Sequence, residues 1–136
     1  MTTELSSGYL VGAAVLVLDE NNRVLLGLRT KDQVWASFGG RLESAESASA
    51  GALREVEEET GLRLNDLERL AFGEGVKSDG TPFVTVYYYA RLPIGQIPAV
   101  QEPELFEQMG WFALDALPAN MWERERSVFE QLRRML

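Results

Sequence analysis

"GGRLESAESASAGALREVEEETGL", Gly39 to Leu62, is the stretch that decides how this chain is read. It packs Glu55, Glu57, Glu58 and Glu59 into five consecutive positions just before Gly61. Ser47 is placed to cap a helix with its hydroxyl, and Gly61 to stop it at C′, so the spacing predicts a helix running to about Thr60. Gly51 inside it weakens the helix by about 1 kcal/mol relative to alanine. Each helical residue turns about 100°. With Glu55 at zero, Glu58 falls near −60° and Glu59 near +40°, so three carboxylates share an arc of about 100°. Glu57 points nearly the other way. Leu53, Val56 and Thr60 gather on a neighbouring arc that faces a core. Acidic helix faces are commonly solvated and interleaved with Lys or Arg. Three carboxylates converging beside a buried face have a second reading, a strip that holds cations.

The flanks supply the fold class. "GYLVGAAVLVLDENNRVLLGLR" is Val- and Leu-rich and broken at Asp19-Glu20-Asn21-Asn22, which predicts two strands and a tight turn. "LERLAFGEGVKSDGTPFVTVYYYARL" predicts two more around Ser78-Asp79-Gly80, and "MGWFAL" a short one. "PIGQIPAVQEPE", with three prolines, reads as a loop. "WERERSVFEQLRRML" is an amphipathic closing helix with Trp122, Val128, Phe129 and Leu132 as its apolar residues. Interleaved strands and helices with several hairpins give an α/β (α+β) class with a mixed sheet.

Composition narrows the chemistry. The 136 residues are 46% hydrophobic and 25% charged, which fits one globular domain over 1–136. There is no cysteine and no histidine. A Ser–His–Asp triad, a Cys–His nucleophile and an ordinary zinc site are therefore excluded. Acid–base work falls mainly to Asp and Glu, and a metal would sit among oxygens, which suits Mg²⁺, Mn²⁺ or Ca²⁺. The net charge of −8 disfavours a nucleic-acid polymer or an anionic membrane as partner. "MTTELSSGYL" lacks a basic n-region and a cleavage site, no apolar run has membrane-span length, and the expected location is the cytoplasm.

The Glu-rich stretch resembles the signature of the Nudix hydrolases at every defined position: Gly40, Glu46, Arg54, Glu55, Val56, Glu58, Glu59, Gly61 and Leu62. The likeness extends beyond it. "VLLGLRTKDQVWASFGG" looks like the strand and loop that lead into that signature, and "EPELFEQMGWFALDALP" like the tail of MutT-like members. It departs where many members carry Leu-Pro-Gly-Gly and Glu-Pro-Gly-Glu; here stand Ser37-Phe38-Gly39-Gly40 and Glu43-Ser44-Ala45-Glu46.

The resemblance implies an α/β/α sandwich around a mixed sheet and a divalent-metal-dependent hydrolase, with Mg²⁺ or Mn²⁺ as cofactor. It implies Glu55, Glu58 and Glu59 as metal ligands with the Gly40 carbonyl, Glu55 as general base, and Arg54 orienting a neighbouring carboxylate. Arg54 is also spaced for an ordinary i,i+4 pair with Glu58. Glu46 either orients the site or favours the helix N-terminus. Of Glu102, Glu104 and Glu107, on the loop where such members place an extra ligand or base, Glu104 is the expected one. Arg29 is read as a phosphate ligand or a surface arginine. Asn120 is read as a base-recognising amide or a helix N-cap. Phe38 and Phe83, with Tyr87 and Tyr89, are read as base-stacking rings or as strand packing.

Lys77 stands where ADP-ribose hydrolases tend to carry proline, and Ser78, Asp79 and Gly80 where the dinucleoside polyphosphate branch prefers tyrosine. The MutT-like tail instead implies a nucleoside or deoxynucleoside triphosphate as the small-molecule partner, cleaved to monophosphate and pyrophosphate, with a role in cleaning oxidised nucleotides. A nucleotide-sugar hydrolase and a non-catalytic nucleotide sensor are the alternatives. The aromatics of "FVTVYYYARL", taken as an exposed edge, lean toward a homodimer.

Overall fold

β1 (Leu10–Leu18) is apolar at nearly every position, a pattern that only a strand covered on both faces can keep. In the structure, a computed structural model that describes residues 9–136, it is covered on both. The first eight residues, on which the absence of a signal peptide largely rests, lie outside the described residues. Ala13, Val15 and Val17 face one way and pack in a cluster with Ala52 and Val56. Ala14, Leu16 and Leu18 face the other way, toward Val128, Phe129 and Leu132.

The remaining elements follow in chain order. β2 (Arg23–Arg29), β3 (Trp35–Ala36) and β4 (Phe38–Arg41) precede α1 (Ala48–Thr60); β5 (Glu68–Val76), β6 (Pro82–Arg91) and β7 (Phe106–Ala113) precede α2 (Glu123–Met135). One seven-stranded mixed sheet contains all the strands, with α1 in the cluster on one face and α2 in that on the other. This is the expected sandwich. β1 runs parallel to β6, and every other strand pairing is antiparallel. β3 and β4 form in a stretch whose sequence reads as a loop.

β1 and β2 pair only at the base of their hairpin, Leu18 opposite Val24. Beyond it β1 takes β4 as its neighbour, while β2 takes β7. The sheet therefore parts into two arms, and the space between them becomes a cleft. One correction follows for assembly. "FVTVYYYARL" is no edge: β6 lies between β1 and β5, and Tyr87 and Tyr88 are buried. The strand beyond it, β5, is an edge of the sheet and exposes Phe72 and Val76. No helix among the described residues is long and apolar enough to cross a membrane.

Candidate active site

Both ends of α1 are built as its sequence requires. Ser47 is the N-cap, and its hydroxyl accepts from the Ala50 N–H at 3.2 Å. Gly61 closes the helix at φ 79°, the left-handed conformation glycine adopts without cost. The loop before the helix holds Ala45 at φ 63°, where a Cβ is strained. That is the position at which this chain departs from glycine.

The helix brings its glutamates to β4. Glu59 lies on the buried stripe with Ala52, Val56 and Thr60 and is only 5% exposed. The Gly39 amide donates to its Oε1 at 3.0 Å. Burial pushes its carboxyl up to about 9, aided by the charges of Glu55, Glu102 and Glu58 and opposed by the Gly39 bond. Glu55 lies against Gly40 so closely that a Cβ there would come within 2.6 Å of its carboxylate. Any other residue at position 40 would displace Glu55. Glu58, further round the helix, is exposed.

Arg54 ties these groups together. Its Nε and Nη2 donate to the two oxygens of Glu46 at 2.7 and 2.9 Å, a bidentate pair. Its Nη1 donates to Glu55 at 2.9 Å and reaches Glu58 at 3.3 Å, and Nη2 also donates to the Arg41 carbonyl at 3.2 Å. The expected Glu58 pair is thus the weaker part of a wider clamp. Hydrogen bonds from Arg54, and then from the Glu43 amide, hold Glu46 down to about 2, and the bonds to Glu46 and then to Glu55 raise Arg54. Glu46 therefore serves the arginine rather than the helix end. With Glu55 and Glu58 drawn toward Arg54, no three carboxylates among the described residues meet around one point.

From the facing loop, Glu102 leans toward this strip. Burial and the charges of Glu104, Glu58 and Glu55 raise its carboxyl. Glu104 lines the cleft, whereas Glu107 accepts from Gln33 at 2.9 Å.

The cleft has a volume of about 520 Å³ and runs from Glu55 and Glu59 to the first turn of α2. Arg29 and Phe83 line it; Arg29 is held by Asp32 at 2.9 Å. Two expectations are corrected. Phe38 is fully buried against Phe106, with ring centroids 5.0 Å apart, because β4 turns it into the core; it cannot stack on a ligand. Asn120 does not line the cleft. Its amide donates to the Gln33 carbonyl at 2.9 Å, and the N-cap of α2 is Trp122.

The sequence reading missed Glu125. It is 4% exposed at the floor of the cleft and accepts from the Ser37 hydroxyl and the Tyr87 hydroxyl, both at 2.9 Å, and from the Ser37 amide at 3.3 Å. Burial and the Glu125 charge keep the Tyr87 phenol protonated. The signal was present: Glu125, Val128, Phe129 and Leu132 follow the i, i+3, i+4, i+7 stripe, so this glutamate sits on an apolar helix face.

A family model described as the NUDIX domain matches residues 8–132. The chain belongs to the Nudix family. It is 31% identical over 122 residues to an oxidized purine nucleoside triphosphate hydrolase of Mus musculus, covering 87% of this chain and 76% of that protein. It is 32% identical over 110 residues to a putative 8-oxo-dGTP diphosphatase of Bacillus subtilis, covering 66% and 74%. Of other curated relatives it spans less, 22% of one and 48% of another. A MutT Nudix hydrolase from Burkholderia pseudomallei superposes with a TM-score of 0.83 at 30% identity, covering 90% of this chain and 97% of that one. The MutT-like Nudix architecture expected from the sequence is therefore present.

Proposed function

We propose that this Nudix chain, acting as one unit, hydrolyses nucleoside or deoxynucleoside triphosphates, oxidised purine nucleotides among them, to the monophosphate and pyrophosphate. Water adds to a phosphorus, one phosphoric anhydride bond breaks, and a proton is released. The observation that carries this reading is a single cleft with two chemically different ends. One end holds clustered carboxylates beside Gly40. The other presents aromatic rings, cations and the buried Glu125.

The donor set suits a hard divalent cation. The charges of Glu55 and Glu58 raise the proton affinity of both Glu59 and Glu102, a sign of negative charge held without enough counter-charge. Glu55, Glu58 and Glu59, with the Gly40 carbonyl, would hold Mg²⁺ or Mn²⁺. When bound, such an ion cancels substrate charge and activates water. The residues do the rest. Arg54, gripped by Glu46, fixes Glu55 and Glu58, and Arg29 reaches the phosphates. Glu55 takes the proton from water, and Glu104 or Glu102 flanks the same space. At the far end Phe83 and Trp122 stack the base, and Glu125 accepts an N–H from its edge. Three of the roughly four acceptor positions of the Glu125 carboxylate are filled within the protein, which leaves one for the ligand. Were the chain to form a homodimer, the β5 edge with Phe72 and Val76 would be the surface, and light scattering giving twice 15.2 kDa would test it.

The deciding experiment is product analysis across dGTP, 8-oxo-dGTP, dCTP, dUTP, a nucleotide sugar and ADP-ribose, with Mg²⁺, Mn²⁺ or EDTA. Monophosphate and pyrophosphate from triphosphates, abolished by EDTA, is the expected result. Turnover of the sugar nucleotide alone, or turnover that survives EDTA, would overturn it.

A further inference from the structure

Two guanidinium groups lie over the Trp122 ring, and they are held differently. Arg29, 4.6 Å from the ring centroid, is anchored by its ion pair with Asp32 at 2.9 Å. Arg124, 4.2 Å from the same centroid, has no ion pair among the described residues. It stands in the first turn of α2, where the helix dipole disfavours a cation. What holds its head is chiefly aromatic surface: the Phe83 ring centroid is 5.0 Å away on β6, and the guanidinium also lies beside the Tyr87 hydroxyl. Arg124, Trp122 and Phe83 all line the cleft.

A guanidinium is flat and delocalised, and it stacks on rings as a heteroaromatic base does. Aromatic rings stack with centroids roughly 4.5–7 Å apart. A base ring at the position of the Arg124 head would stand close to that range from both Trp122 and Phe83, with the Glu125 carboxylate at the floor of the same cleft.

We propose that Arg124 is a resident occupant of the base-stacking position: its guanidinium fills the space between Trp122 and Phe83 when no nucleotide is bound, and a nucleobase binds by displacing it. The inference rests on the nucleotide reading of this cleft. An internal competitor lowers the population of the binding-competent form, so it weakens every base by one common factor and leaves a ligand without a base untouched. Two exposed cation–π contacts correspond to a factor of roughly 5 to 30.

The test is Arg124→Ala, read by tryptophan fluorescence and calorimetry with guanosine, cytidine and tripolyphosphate. The nucleosides are uncharged, so loss of a cation does not alter their attraction to the cleft. Both should tighten by the same factor, roughly 5- to 30-fold, while tripolyphosphate does not tighten. Arg124 is exposed, and a melting temperature close to wild type shows that the fold is kept. Weaker nucleoside binding would make Arg124 a ligand of the base, and unchanged binding would make it a bystander; either overturns the inference. Failure of both proteins to bind any nucleoside would remove the stacking position itself. The hydrolase reading fails separately: if nucleosides tighten but no triphosphate is cleaved with Mg²⁺, the occupant stands and the activity does not.

Discussion

The Gly39 amide donates to Glu59 across 3.0 Å, and this bond fastens the loop-side strand β4 to the helix that carries the clustered carboxylates. The bond favours an ionised Glu59, yet burial and three neighbouring carboxylates outweigh it and push the group up to about 9. Between its ordinary value of 4.5 and about 9, the folded chain therefore holds a proton that the unfolded chain has lost. Stability without metal should fall as pH rises through that window, by at most about 1.4 kcal/mol per pH unit from this group. Glu59→Gln, which mimics the protonated acid, should flatten the trend. Melting curves in EDTA from pH 5 to pH 9 measure it, and equal slopes for both proteins would refute the assignment.

Arg54→Lys should be far from conservative. An ammonium cannot reproduce the fork that grips both oxygens of Glu46 while reaching Glu55. We expect kcat to fall by roughly 10- to 100-fold, and the Mg²⁺ concentration for half-maximal rate to rise, because Glu55 and Glu58 lose their orientation. The nucleotide KM at saturating Mg²⁺ should change little. A Mg²⁺ titration of the variant decides; an unchanged midpoint would separate Arg54 from the metal ligands.

Ala45→Gly should stabilise the protein. Relief of the strain at φ 63° is worth about 1–2 kcal/mol, and the added freedom of the unfolded chain returns about 0.4–1 kcal/mol of it. The net gain, of order 0.5–1 kcal/mol, corresponds to a few degrees in Tm. Thermal denaturation measures it, with kcat within about twofold of wild type.

The loop glutamates should separate by role. Glu102 feels Glu104, Glu58 and Glu55, whereas Glu107 is occupied by Gln33. Glu102→Gln should cost roughly 10- to 100-fold in kcat/KM, and Glu107→Gln less than about twofold. Kinetics at one Mg²⁺ concentration test this; equal losses would mean the loop acts only as a support.

The elements most legible in the sequence were those whose signals are local. The Ser47 cap, the Gly61 stop and the two-sided apolar run of β1 each fix their element through neighbours in the chain. That one helix carries Glu55, Glu58 and Glu59 was legible for the same reason, whereas the pull of Arg54 on Glu55 and Glu58, away from Glu59, was not. What depended on strand register was not. Phe38 enters the core because β4 pairs with β1 opposite Val15, and "FVTVYYYARL" is interior because β5 covers it. The MutT-like tail makes Asn120 a base-recognising amide and its place near a helix start makes it an N-cap, but its partner, the Gln33 carbonyl, lies far back along the chain. Glu125 was visible as a charge on an apolar stripe, but its partners Ser37 and Tyr87 come from two other strand regions.

The parallel pairing of β1 with β6 carries a consequence for how the protein is made. β1 ends at Leu18 and β6 begins at Pro82, so roughly 60 residues must leave the ribosome before the central pair can form. At about 5–20 residues per second, that leaves the most apolar strand of the sheet with one side unpaired for several seconds. During that interval β4 and α1 are already synthesised, and they can shield one edge and one face of β1. The loop-and-helix stretch that carries the chemistry thus also serves as a temporary guard against aggregation of the nascent chain.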